Sequence, residues 1–96
     1  MSGTVTLRVP RLLAPTLGDR HELQLPAPAD ATVRGVLDVL AAEHPTFDRR
    51  VRDETGALRR HVNVYVDGED VRRLDGLATA TPAGSEVQVI QSVAGG

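Results

Sequence analysis

From Thr4 to Val9 polar and apolar residues alternate, the period-two pattern of a half-buried strand with Val5, Leu7 and Val9 facing inward. Pro10 ends the run. After the turn signal Gly18-Asp19, the alternation returns from His21 to Leu25, with Leu23 and Leu25 inward. The two segments read as a hairpin with a long connection that contains Pro and Gly. The period then changes. Thr32 is a good N-cap, and Val33, Val36, Leu37, Leu40 and Ala41 follow at helical spacing. This helix is expected to run to about His44, because Pro45 disfavours helical geometry in the residue before it. Gly35 costs up to about 1 kcal/mol of helix propensity, which a close approach to the sheet would offset. Phe47 is expected to pack where the chain leaves the helix.

Arg49 to Arg60 reads as a polar, charged connection with a turn at Thr55-Gly56. Val62, Val64 and Val66 mark the clearest strand, expected to be central and ended by Asp67-Gly68. A short edge strand is expected around Glu69 to Arg72. Leu77, Ala78 and Ala80 form a small apolar turn before Pro82-Ala83-Gly84, and Glu86 to Gln91 is the last strand, with Val87 and Val89 inward. A hairpin, a helix across one face and later strands completing a mixed sheet of about five strands predict an α+β chain of β-grasp (ubiquitin-like) type. In that arrangement the last strand lies beside the first. Residues 1–91 are thus expected to be the folded domain and 92–96 a flexible C-terminal tail.

Composition narrows the functions available. At 96 residues the chain makes one small domain, large enough for one core but not for a deep catalytic cavity. Aromatics are only 2%, which leaves Val, Leu, Ile and Ala to fill the interior and argues against an aromatic-lined ligand pocket. A formal net charge of -2 gives no reason to expect nucleic-acid binding. With no Cys, disulfides, thiolate metal sites and cysteine nucleophiles are excluded. Every strongly basic residue is Arg, so the chain offers no lysine of its own to an isopeptide bond. No secretion signal and no bilayer-length apolar stretch is visible, and a cytoplasmic protein is expected.

The candidate chemistry lies at the end of the chain, Ser92-Val93-Ala94-Gly95-Gly96. Two terminal glycines alone are weak evidence, since chain ends are often inconsequential. Joined to the last strand of a β-grasp domain they point to an activated tail. A carboxylate is a poor electrophile and needs activation, for instance as an acyl-adenylate formed from ATP. An enzyme doing this must thread the Gly96 carboxylate to a buried nucleotide, and residues without Cβ at Gly95 and Gly96 allow a narrow extended path. Val93 and Ala94 would lead the glycines into that channel, with Val93 an anchor ahead of them.

Elsewhere the signals are weaker. Tyr65 and Ile90 fall opposite the inward valines of their strands and are candidates for an exposed docking patch, if those strands are neighbours. Partial cover, or a bulge turning Ile90 inward, is the alternative. Arg49, Arg50, Arg52, Arg59, Arg60, Arg72 and Arg73 are candidates to meet an acidic partner or simply form a solvated face. His21, His44 and His61 lack metal-ligand spacing, and no metal site is expected. No catalytic constellation is visible, so the chain is not expected to be an enzyme.

Over essentially its whole length the sequence resembles the ubiquitin-like sulfur carriers related to the molybdopterin synthase small subunit and the thiamine sulfur carrier. The resemblance is carried by His61-Val62-Asn63-Val64-Tyr65-Val66-Asp67-Gly68-Glu69-Asp70-Val71-Arg72, by Gly76-Leu77-Ala78-Thr79-Ala80, and by Ser92-Val93-Ala94-Gly95-Gly96. These blocks look most like a carrier of cysteine biosynthesis. Pro82-Ala83-Gly84-Ser85 departs from the usually acidic turn before the last strand. The resemblance implies that a ubiquitin-activating-type enzyme adenylates Gly96 with ATP and magnesium, neither held by this chain. Sulfur transfer would then give a thiocarboxylate. A pyridoxal-phosphate cysteine synthase would supply an aminoacrylate for it to attack, and a zinc metalloprotease would release the cysteine. A ubiquitin-like protein modifier and a molybdopterin synthase small subunit remain alternatives.

Overall fold

The computed structural model describes residues 3–91. Strand β1, Thr4–Arg8, pairs antiparallel with β2, Glu22–Pro26, Val5 standing opposite Leu25 and Leu7 opposite Leu23. The connection between them turns through a 3-10 segment, Ala14–Leu17, that buries Leu17. Bonds from Val9 N to His21 O and from Ala27 N to Gly3 O fix which β2 groups face β1. Odd-numbered residues bond inward and even-numbered ones face the open edge. Pro26, which has no N–H, therefore falls where the missing donor breaks no ladder bond and blunts the edge against further pairing.

Helix α1, Val33–Glu43, begins as the sequence predicts: the Thr32 side chain accepts from Gly35 N at 3.2 Å. The close approach at Gly35 is made to a loop and not to the sheet. A Cβ there would lie 1.8 Å from the Asp30 carbonyl oxygen. Val33, Val36, Leu37 and Leu40 form the buried stripe.

The segment after Pro45 corrects the sequence reading. Pro45–Val51 is a second helix, α2, so residues 49–51, expected to open the polar connection from Arg49 to Arg60, are helical. Proline suits a first helical position because its missing N–H has no intrahelical partner there. Phe47 and Val51, four residues apart, share one face and are fully buried. Asp48 in the first turn and Arg49 and Arg50 in the last complement the helix dipole. After Arg52 the chain doubles back through a bridge to Leu58 and an Arg59 N to Val51 O bond, returning alongside α2.

Strand β3, Val62–Val66, alternates buried valines with half-exposed Asn63 and Tyr65. Its partner β4 is only Glu69–Asp70, shorter than the sequence suggests. The Asp70 carboxylate accepts from Arg72 N at 2.9 Å and turns the chain into a 3-10 segment, Val71–Arg73. Strand β5, Glu86–Gln91, runs parallel to β1 and antiparallel to β3, giving the order β2-β1-β5-β3-β4. The helices cover one face of this mixed sheet, and the core between them is Val, Leu and Phe47. This is the β-grasp arrangement the pattern predicts, with two helices where one main helix was expected.

Candidate functional site

The last strand delivers the tail. β5 is held on both sides, by β1 through Leu7 opposite Val87 and by β3 through a five-rung register that ends on Val62 opposite Gln91. The backbone is therefore fixed up to the residue before Ser92. Val93, Ala94, Gly95 and Gly96, named above as the threading and reacting residues, lie outside the described residues.

The open face of the sheet brings the other candidates together. Tyr65 stands opposite Gln88, and Asn63 opposite Ile90, so Tyr65 and Ile90 are diagonal neighbours on adjacent strands. Such positions lie roughly 7–8 Å apart, within reach of an aromatic ring. β5 keeps its alternation without a bulge, and Ile90 is 36% exposed. Both side chains face away from the helices, Ile90 one rung and Tyr65 three rungs from the Val62–Gln91 end of the ladder. Two further exposed apolar residues escaped the pattern analysis, Leu12 and Leu74. Leu12 follows β1, which ends on the same side of the sheet as β5 because the two are parallel. Its position within a Pro-Arg-Leu-Leu run next to buried Leu13 masked it, since only the fold separates the inward leucine from the outward one.

The arginines considered together in the sequence have separate roles. Arg52 is buried and clamps the two helices, Nη1 meeting Asp38 Oδ1 at 2.9 Å and Nε meeting Asp48 Oδ1 at 2.7 Å. Burial alone would lower its pKa; the bonds to Asp48 and Asp38 outweigh it and hold the guanidinium above its ordinary value. Arg59 Nε donates to Arg49 O at 2.8 Å. Arg72 Nη2 donates to Val62 O at 2.9 Å while Nη1 donates to Asn63 Oδ1, which sets Asn63 against the Ile90 end of the patch. Arg73 lies beside Tyr65, Glu69 and Asp70 in a shallow groove. Arg60 is exposed and makes no ion pair among the described residues.

Among the described residues no three His, Cys, Asp or Glu side chains converge on a metal-sized site, and no helix is long and apolar enough to cross a membrane. The structure offers a rigid strand ending at the tail, an adjoining apolar patch and a charged surround.

The model of the ThiS family matches residues 8–96. The chain belongs to that family. The sulfur carrier protein CysO of Mycobacterium tuberculosis is 38% identical over 94 residues, spanning 96% of this ThiS-family chain and 98% of the relative. Small archaeal modifier protein 3 of Haloferax volcanii is 45% identical over 67 residues, covering 70% of this chain and 72% of the relative. Among solved structures, the Amycolatopsis orientalis BexX/CysO complex contains a chain that superposes with a TM-score of 0.83 at 32% identity, covering 96% of this chain and 99% of that one. The ThiS-family assignment and the β-grasp topology thus agree, and both span the two elements that matter most here, β3 with Tyr65 and β5 with Ile90.

Proposed function

We propose that this protein is a sulfur carrier acting as a substrate of partner enzymes in the cytoplasm. The Gly96 carboxylate is adenylated by a ubiquitin-activating-type enzyme using ATP and magnesium. A sulfide-level sulfur nucleophile then attacks the acyl carbon and displaces AMP, leaving a thiocarboxylate. The observation that carries this reading is that Gly95 and Gly96 follow four and five residues after a strand locked between β1 and β3, on a chain that has no thiol of its own to carry sulfur. Likeness to CysO over nearly the full length favours cysteine formation as the use of that sulfur. In that use the thiocarboxylate adds to an aminoacrylate on a pyridoxal-phosphate synthase. An acyl shift from sulfur to nitrogen leaves cysteine in amide linkage, and a zinc metalloprotease hydrolyses it. The Tyr65–Ile90 patch supplies the docking contact that precedes threading of the tail.

A second reading is supported by the likeness to small archaeal modifier protein 3: the same activated tail would form isopeptide bonds with lysines of other proteins. Because this sequence contains no Lys, such modification would not extend into lysine-linked chains of this protein.

Intact-mass measurement of the protein recovered from its own cells separates the two. The carrier reading expects a species with one terminal oxygen replaced by sulfur, lost on deletion of Gly96. Finding Gly-Gly adducts on other proteins with no thiocarboxylate form would replace it with the modifier reading.

A further inference from the structure

The formal net charge of -2 conceals a separation of charge along the axis of β5. β1 runs parallel to β5 toward the same end of the sheet, Arg8 pairing with Gln88 three residues short of Gln91, and Arg11 lies three residues beyond Arg8. β3 begins at that same end, because Val62 pairs with Gln91, so Arg60 and His61 precede the first rung. Arg72 joins them through its bonds to Val62 O and Asn63. Arg11, Arg60 and Arg72 are exposed, and none forms an ion pair among the described residues. By contrast, Arg8 is held by Glu22 and Glu86 at 3.2 and 2.6 Å.

The opposite end is acidic. β3 stops at the Asp67-Gly68 turn, where Asp67 accepts from Glu86 N at the start of β5, and Glu69 and Asp70 follow. Asp67 and Glu69 are exposed and unpaired with any arginine among the described residues. A strand of this length separates the two ends by roughly 15 Å. That exceeds the screening length of about 8 Å at physiological salt. A surface approaching the tail end therefore meets the local positive charge and not the molecule's net negative one.

We propose that this basic end, Arg11, Arg60, His61 and Arg72, docks on an acidic rim around the tail-receiving channel of the activating enzyme and steers the domain in tail first. The inference rests on the carrier reading above and adds the chemistry of the partner surface. Steering of this kind acts on the association rate and weakens with salt.

The test measures pyrophosphate release with the organism's own adenylating enzyme at carrier concentrations well below saturation, from low to high sodium chloride. The second-order rate for the unaltered protein is expected to fall roughly 10-fold or more across that range. Arg11→Glu with Arg60→Glu is expected to lower the low-salt rate by about 10-fold and flatten the salt dependence. Glu69→Lys, at the far end, is expected to leave both unchanged. A salt-independent rate for the unaltered protein, or a double variant that matches it at every salt concentration, overturns the proposal while adenylation itself still stands. No adenylation of the unaltered protein at any salt overturns the carrier reading and this docking mode with it.

Discussion

Val62 and Gln91 form the last rung of the β3–β5 ladder, so the tail starts from a backbone position fixed by the sheet. Reach from that rung to the reacting carboxylate is then set by the number of tail residues, each contributing at most about 3.3–3.6 Å. Deleting Ser92 is expected to leave the fold intact but withdraw Gly96 from the reaction centre. Adenylation at saturating carrier should fall by about 100-fold or more, the scale of loss from a misplaced reacting group. Equal pyrophosphate release by the shortened and full-length proteins would show that the strand does not set the reach.

Gly95→Val tests the channel instead of the reach. Urea unfolding of this variant is expected to match that of the unaltered protein. Adenylation is expected to be lost, because the branched side chain excludes the narrow extended path that glycine allows. Normal activation of this variant would refute the threading argument.

Tyr65 and Ile90 face solvent from adjacent strands, which separates docking from stability. Ile90→Asp is expected to change stability by about 1 kcal/mol or less, the scale of strand-propensity effects. Loss of an apolar anchor at the centre of an interface costs about 2 kcal/mol or more, near 30-fold in Kd for the activating enzyme. Calorimetry of binding, with thermal melting alongside, checks both halves. An unchanged Kd would remove the patch from the docking surface.

Four of the strands and α1 were legible because their residues obey one period throughout: Val62, Val64 and Val66 alternate strictly, and Val33, Val36, Leu37 and Leu40 keep helical spacing, whereas β4, two residues long, has no period to fix its end. α2 was missed for a physical reason. In seven residues it has room for only two core positions, Phe47 and Val51, and Pro45 signals a stop as readily as a start. Its existence depends on a tertiary contact, the burial of Phe47 against the core. Phe47→Ala is accordingly expected to cost about 3–5 kcal/mol, read as a lower urea midpoint. The charged surround was harder still to read. Arg52, Arg60 and Arg72 look alike in sequence, and only strand register separates the clamp between helices from the groups beside the tail.

Acid should loosen the loop that follows α2. The Asp53 carboxylate accepts from Thr55 Oγ1 at 2.6 Å, from Thr55 N at 2.8 Å and from Ala57 N at 3.2 Å. These bonds, those to Thr55 first, hold its pKa below the ordinary 3.8. A group whose pKa is depressed by folding adds stability that is fully present above its unfolded value and disappears as pH falls through the folded one. Unfolding followed from pH 7 down to pH 2 should therefore show an Asp53 contribution that is constant at neutral pH and fades only below about 4. Asp53→Asn keeps an acceptor oxygen but not the charge. It is expected to be less stable than the unaltered protein at pH 7 and to converge with it at the acid end. A stability difference that stays constant over the whole range would show that the carboxylate's charge has no part in holding the loop.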